Sequence, residues 1–334
     1  MPIDANLAKR ILENNSSFVF TTHVNPDGDG LGSEIALAHL VRKLGKTAFV
    51  INHSRTPEHY EWLDAAKEIF LFSVERDREK ILQADAIFIM DTNQPERLRS
   101  MQPHVLASKA VKVVIDHHLE SHPFADQYLI DEEATSTGEI VYHLLTGFDN
   151  GFLDREIATA LYTAIMTDTG SFRFPRTDSD VHHIAADLIA HGADPTEIFS
   201  HIYESWSLGR MRLLGEMLDS MRTAYDGKLA YAVCTEHMFK ATGTTEVETD
   251  NFTTYPMSVR GVLVGILFNE LHNGVKISFR SKGAIPINEL AKEFGGNGHL
   301  NAAGVRLYNV RLNEVIKAVI EKAEKYLSRR VQRI

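Results

Sequence analysis

The chain has 334 residues, 44% hydrophobic and 24% charged, with a formal net charge of −10 at pH 7, long enough for two domains with separate cores. The acidic balance argues against a protein that coats long nucleic acid. One cysteine, Cys234, excludes an internal disulfide and a thiolate zinc site, and no apolar run approaches the ~18 residues needed to span a bilayer.

Residues 1–6 show no basic segment leading into an apolar one, so no signal peptide is expected and a cytoplasmic protein fits best. The first apolar run, Phe18-Val19-Phe20-Thr21-Thr22, ends in His23, with Asp27 and Asp29 close behind. Leu37, Leu40, Val41 and Leu44 follow at helical spacing, with Gly45 as a stop. Ala86 to Met90 runs into Asp91, and Val111 to Ile115 runs into Asp116-His117-His118. Such short β-branched and aromatic runs, separated by helical stretches, predict buried parallel strands. Ser136 to Leu145, Ile157 to Met166 and Val181 to Ile189 predict helices, the second closed by Asp168. Helical and strand-like stretches thus alternate to about His191. The expected class is α/β, with a doubly wound, mainly parallel sheet.

Leu214, Met217, Leu218 and Met221 place a helix over Ser207 to Met221, before the turn Asp226-Gly227. Beyond it come strand-like Leu229 to Val233, Val262 to Phe268 and Val275 to Phe279, then a helix from Ile287 to Phe294, a glycine-rich loop and a terminal helix. These predict a catalytic domain at 1–205, a helical linker at 206–227, and a smaller mixed α/β domain at 228–334. Lys228 to Ile334 holds 15 Lys+Arg against 10 Asp+Glu, or +5, which leaves 20 against 35, or −15, for residues 1–227. A mildly basic C-terminal part suits a short phosphorylated ligand.

In an open α/β sheet the ligand crevice lies beyond the carboxyl ends of the strands. Each signal alone has a plain alternative. Asn-Pro and Asp-Gly in the His23–Gly30 segment are turn formers, and its carboxylates would serve equally as helix caps. It is no EF-hand loop, because Leu31 and Ala38 stand at ligand positions, and Ser33 breaks the dinucleotide-binding glycine pattern. Asp91 alone reads as a cap, and an Asp-His-His triplet occurs by chance. Asp168 closes a helix, where a carboxylate opposes the dipole and needs a positive partner.

Jointly, Asp27, Asp29, Asp91 and Asp168 would meet His23 and His117 in one crevice. Four unpaired carboxylates would cost several kcal/mol each in desolvation, and two divalent cations cancel their charge. Carboxylate and imidazole donors suit manganese, with magnesium, cobalt or zinc as alternatives. Two cations ~3.5–4 Å apart are the apparatus of phosphate-ester displacement. In the C-terminal part, Gly295 and Gly296 fit a helix C-cap, but four glycines within ten residues exceed what a cap needs. A segment of Gly296, Asn297, Gly298 and His299 lets backbone N–H groups approach a phosphate or base. Arg280 and Lys282 read either as phosphate ligands or as solvated strand-end charges.

These residues resemble the DHH phosphoesterase superfamily, named for the triplet seen here as Asp116-His117-His118. The likeness is to its subfamily with a C-terminal DHHA1 domain, which includes the NrnA-type oligoribonucleases (nanoRNases) that also act as pAp phosphatases. The first family motif reads His23-Val24-Asn25-Pro26-Asp27-Gly28-Asp29, the second Asp91-Thr92-Asn93, and the fourth Thr167-Asp168-Thr169-Gly170. The DHHA1 signature reads Gly295-Gly296-Asn297-Gly298-His299-Leu300-Asn301-Ala302-Ala303-Gly304.

The resemblance implies that His23 and Asp27 bind one metal and Asp29, His117 and Asp168 the other, with Asp91 bridging and His118 on the scissile phosphate. The nucleophile would be a hydroxide between the metals. Asn25, where many members carry a second acid or another polar residue, and Asn297, within a glycine run, leave substrate preference open.

The implied function is hydrolysis of very short RNA to mononucleotides and of 3′-phosphoadenosine 5′-phosphate (pAp) to AMP. The runner-up is a phosphodiesterase for cyclic-di-AMP or linear dinucleotides. A RecJ-like exonuclease lacks room for an added oligonucleotide-binding domain, and a pyrophosphatase fits the glycine segment poorly. A non-catalytic nucleotide-binding regulator would not need all six ligands. Neither a membrane nor long nucleic acid is an expected partner, and a homodimer stays open.

Overall fold

In the computed structural model, which describes residues 5–118, 122–148 and 150–328, the chain divides into two compact units, Met1–Ser205 and Trp206–Ile334. The first is built on strands β1 (Ser17–Thr21), β2 (Thr47–Asn52), β3 (Ile69–Leu71), β4 (Ala86–Met90), β5 (Val111–Asp116) and β6 (Gln127–Ile130). Every pairing is parallel, in the order β3-β2-β1-β4-β5-β6. Helices α1 (Ala5–Asn14), α2 (Gly28–Lys43), α3 (Val74–Gln83) and α4 (Gln102–Ala107) accompany the strands, and α5 (Thr137–Thr146), α6 (Arg155–Asp168), α7 (Ser179–Ala190) and α8 (Pro195–Tyr203) follow them.

Successive strand residues face opposite sides, and both sides are covered. Phe18, Phe20 and Phe88 join the core with residues of α1, α2 and α5 to α8, while Val19, Ile87, Ile89 and Val114 pack with residues of α3 and α4. This is why the strands read as continuous apolar runs. The alternation expected as far as His191 stops at β6, because α5 to α8 bury their apolar faces in the same core as α2 without an intervening strand. A Cβ on Gly32 would stand 2.3 Å from the Ala160 carbonyl oxygen, so glycine there lets α2 and α6 touch. The strand order reverses between β1 and β4, which makes that junction the switch point where such sheets bind ligands.

The second unit contains α9 (Leu208–Asp219), β7 (Arg222–Ala224), β8 (Leu229–Cys234), α10 (Glu236–Thr242), α11 (Thr254–Ser258), β9 (Val264–Leu271), β10 (Gly274–Ser281), α12 (Ile287–Lys292), β11 (Asn297–His299), β12 (Ala302–Tyr308) and α13 (Leu312–Ser328). Its sheet runs β11-β12-β10-β9-β8-β7, parallel only at β8–β9. Residues 206–227, expected as a linker, are part of this unit: Leu213 and Met217 of α9 pack fully buried with Ala232, Cys234, Phe252 and Leu267. The Asp226-Gly227 turn closes the β7–β8 hairpin, with positive φ at Tyr225, Asp226 and Gly227. The segment expected as a glycine-rich loop holds an edge strand, β11, paired antiparallel with β12. Among the described residues no helix is long and apolar enough to cross a membrane.

Candidate metal centre

Three strands deliver their ends to the switch point. Thr22, just past β1, donates its hydroxyl to the Met90 carbonyl at the end of β4 (2.9 Å) and its N–H to Asn52 Oδ1 at the end of β2 (3.0 Å). Asp91 follows β4 with φ of +57°, and its N–H donates to Ile115 of β5 (2.9 Å). A left-handed conformation is costly for a non-glycine residue and turns the chain sharply at that place.

His23 Nδ1 donates to the Val24 carbonyl (2.9 Å), so in the neutral ring Nε2 carries the lone pair. That Nε2 lies 3.1 Å from Asp91 Oδ2 and 3.7 Å from Asp27 Oδ2. Asp27 caps α2 with its other oxygen, accepting from the N–H groups of Asp29 and Gly30 (both 3.1 Å). One carboxylate therefore does both jobs read from the sequence.

On the other side of Asp91, His117 Nε2 stands 3.6 Å from Asp91 Oδ1, 3.7 Å from Asp29 Oδ2 and 3.3 Å from Asp168 Oδ2. Asp29 is fixed by the N-terminus of α5, where Thr137 and Gly138 donate backbone N–H groups to it (2.7 and 2.8 Å). Thr137 also donates its hydroxyl to Asp91 (3.2 Å). Asp116 accepts from the backbone of His117 and His118 and from His118 Nδ1 (2.7 Å), so it orients the triplet and stays off the metal-facing cluster.

Three groups have donor atoms within 4.8 Å of one another: His23, Asp27 and Asp91; Asp29, His117 and Asp168; and Asp91, His117 and His118. Asp91 and His117 each belong to two groups. The electrostatics fit cations. Burial opposes charge on His23, but its hydrogen bonds to Asp27 and Asp91 outweigh this and raise its pKa to about 10. The same contest raises His117 to about 10, with Asp91, Asp29 and Asp168 as its partners. Burial and the neighbouring Asp91 and Asp168 push Asp29 well above the usual carboxylate range. Burial takes Asp168 to about 7, with Asp91 and Asp27 adding to the rise against His117. Burial opposes ionisation of Asp91, but its imidazole partners hold it well below the usual range. Protons are serving as the counter-charge that the donor set would otherwise take from divalent ions. A lone pair on His23 Nε2 facing two carboxylates is repulsive unless a proton or a cation lies between them.

In the second unit, Arg280 is half-buried on β10 and donates to the Phe279 carbonyl (3.0 Å), and Lys282 donates to the Met257 carbonyl (2.8 Å). Asn297, Gly298 and His299 lie on β11 opposite Gly304, Ala303 and Ala302; the His299 side chain is outside the described set. Gly296 precedes β11, where a Cβ would meet the Gly304 carbonyl at 2.4 Å.

Sequence reasoning missed Thr137 and Gly138, whose only signal is a small polar triplet, Ser136-Thr137-Gly138, opening a helix. It also missed Glu34, fully buried on α2 and accepting from Asn52 Nδ2 (2.6 Å). Burial raises the Glu34 pKa to about 8 despite that bond.

A parallel sheet whose switch point gathers carboxylates and imidazoles in three ligand-forming groups defines a metal-binding α/β protein. The chain belongs to the DHH family: residues 17–165 match its N-terminal domain, and residues 226–329 match the DHHA1 domain. It is 29% identical over 310 residues to the "bifunctional oligoribonuclease and PAP phosphatase NrnA" of Thermus thermophilus, covering 92% of this chain and 89% of that one. It is 26% identical to the "cyclic-di-AMP phosphodiesterase PdeA" of Listeria monocytogenes, covering 97% of this chain but 50% of that protein. The crystal structure of an exopolyphosphatase-related protein from Bacteroides fragilis superposes with a TM-score of 0.93 at 30% identity, covering 97% of each chain.

Proposed function

We propose that this protein is a metal-dependent phosphodiesterase that hydrolyses very short RNA to mononucleotides and dephosphorylates pAp to AMP. The observation that carries it is Asp91, strained at the switch point, with one oxygen toward His23 and the other toward His117. His23 and Asp27 would hold one ion, Asp29, His117 and Asp168 a second, and Asp91 both; the oxygen and nitrogen donors suit manganese. When bound, the ions supply Lewis-acid polarisation of the phosphoryl group and a water that ionises near neutral pH.

The chain's own residues do the positioning. The Val24 carbonyl holds the His23 tautomer that presents Nε2 to a ligand. The α5 N–H groups and the Thr137 hydroxyl fix Asp29 and Asp91. Burial opposes charge on His118, but its bond to Asp116 raises the pKa and favours an imidazolium, which would stabilise negative charge on the scissile phosphate. Arg280, Lys282, Gly296, Asn297, Gly298 and His299 are assigned to substrate binding on their residue types and the DHHA1 match, while the tight backbone at Gly296 and Gly298 is explained by packing against β12 and α12.

The Thermus relative, matched over most of both chains, carries both activities in its name, whereas the Listeria relative is about twice as long as its match to this chain. Purified protein with manganese and a panel of pAp, RNA dimers to pentamers, pApA and cyclic-di-AMP tests the reading. Preferred cleavage of two- to five-mers and of pAp is expected. Fastest turnover of cyclic-di-AMP would replace it with the signalling-dinucleotide alternative.

A further inference from the structure

Beside the metal centre lies a second group of cation-bearing loops that the chemistry above does not use. Asn25 donates its N–H to Ser54 Oγ (3.0 Å), and Val24 donates its own to the Arg97 carbonyl (2.9 Å). The loops after β2 and β4 are thus laced to the residues that flank His23.

Within them, Ser100 approaches His53 Nδ1 with its hydroxyl at 2.7 Å and its backbone N–H at 3.4 Å. With Nδ1 accepting, the neutral ring keeps its proton on Nε2, a donor with no partner among the described residues. The Arg99 guanidinium is close enough that, after burial, its charge is what lowers the pKa of His53. The exposed Arg99 side chain has no hydrogen-bond or ion-pair partner among the described residues, in contrast to Arg42, Arg76 and Arg155, which pair with Glu68, Asp77 and Glu197.

Its backbone is also strained, with φ of 51° and ψ of −120°, a region that favours glycine. Strain of this kind costs on the order of 1–3 kcal/mol and persists where the surroundings impose it, often at ligand clamps. Two unpaired donors, one cationic and held in a costly conformation, on loops bonded to the residues that follow His23, are placed to receive an anion.

Resting on the phosphodiesterase reading, we propose that Arg99 and His53 form a subsite for a substrate phosphate other than the scissile one. A terminal 5′-phosphate is the ligand class that fits, because a guanidinium and an imidazole N–H together match phosphate oxygens. The subsite would favour a phosphorylated dinucleotide over one whose only phosphate is the bond being cut.

The test compares pApA with ApA at saturating manganese, in the wild-type protein and in Arg99→Gln, Arg99→Gly and His53→Ala variants. Wild type should prefer pApA, and Arg99→Gln should lower that preference about tenfold, through KM rather than kcat, the worth of one charge-assisted hydrogen bond. Arg99→Gly removes the strain, so it should melt no lower than wild type and still lose the preference. Glycine there with full preference, or an unchanged pApA:ApA ratio in Arg99→Gln, overturns the subsite. If wild type cleaves neither dinucleotide, the phosphodiesterase reading fails instead. Calorimetric binding of the same pair then decides the subsite by the same tenfold criterion.

Discussion

Beyond the carboxyl ends of the parallel sheet, Asp27, Asp29, Asp91 and Asp168 crowd two imidazoles, and among the described residues no arginine or lysine forms an ion pair with them. In the mixed sheet, by contrast, Arg280 and Lys282 donate to carbonyl oxygens of their own unit, and Glu246 takes both Lys276 and Arg306. The cluster at the switch point leaves buried charge for a ligand to neutralise, while these charges of the second unit are satisfied internally. The difference teaches where chemistry resides: uncompensated buried charge is costly and survives where it serves a task. Substitutions in the first unit should accordingly be drastic, and those in the second graded.

The largest effect falls on Asp91. Asp91→Ala should lose metal binding by calorimetry and at least about a thousandfold in kcat, since it removes a shared ligand. Its circular dichroism should stay native. Retained turnover would break the contrast between the units at its strongest point.

Next comes pH. His23 and His117 hold protons up to about pH 10 in the ion-free protein and Asp168 up to about pH 7, yet ligation needs all three deprotonated. Manganese must therefore displace protons, and its affinity should rise steeply from pH 6 to 8. Titration in buffers of different ionisation enthalpy reads the released protons, with at least about two expected at pH 8, from the two imidazoles and any proton held by Asp29. Zero release would mean that the imidazoles are not ligands.

Glu34 gives a smaller effect, on stability. Its pKa of about 8 in the folded state exceeds the ordinary 4.5, so the folded protein binds this proton more tightly than the unfolded chain. Stability is then full below about pH 4.5 and declines as pH rises toward 8, by about 3 kcal/mol at pH 7. Glu34→Gln keeps the acceptor for Asn52 without the ionisation. It should raise Tm by several degrees at pH 8 and little at pH 5. Equal shifts at both pH values would reject the titration as the cause.

Much of this was legible in the chain. Phe18 to Thr22, Ala86 to Met90 and Val111 to Ile115 are apolar runs because both faces of the sheet are covered, and their charged ends mark the crevice. What periodicity did not show is cooperation at a distance. Thr137 and Gly138 matter because the α5 N-terminus meets Asp29, more than a hundred residues away in sequence. Residues 206–227 carry a helical pattern whether they join domains or pack in one, and only the burial of Leu213 and Met217 against Phe252 decides for packing. Asn297 to His299 is rich in glycine and polar residues, which hid an edge strand paired through its backbone with β12.

Arg280 offers the finest test of the contrast, because its charge is already partly satisfied. Burial lowers its pKa from the ordinary value, yet the group remains charged and donates to the Phe279 carbonyl next to it. A substrate phosphate would gain a charge-assisted bond but would compete with that carbonyl, so the net worth is smaller than for an unpaired guanidinium. Arg280→Ala should raise KM for RNA dimers about three- to tenfold with kcat nearly constant. Because the side chain is half-buried, alanine also costs stability for an unrelated reason. Arg280→Lys separates the two, since it keeps the stem and charge but loses the planar fork. A KM rise in both variants with an unchanged melting point for lysine assigns the fork to substrate. An unchanged KM in Arg280→Ala removes the residue from the binding surface and leaves recognition to the backbone around Gly296 and Gly298.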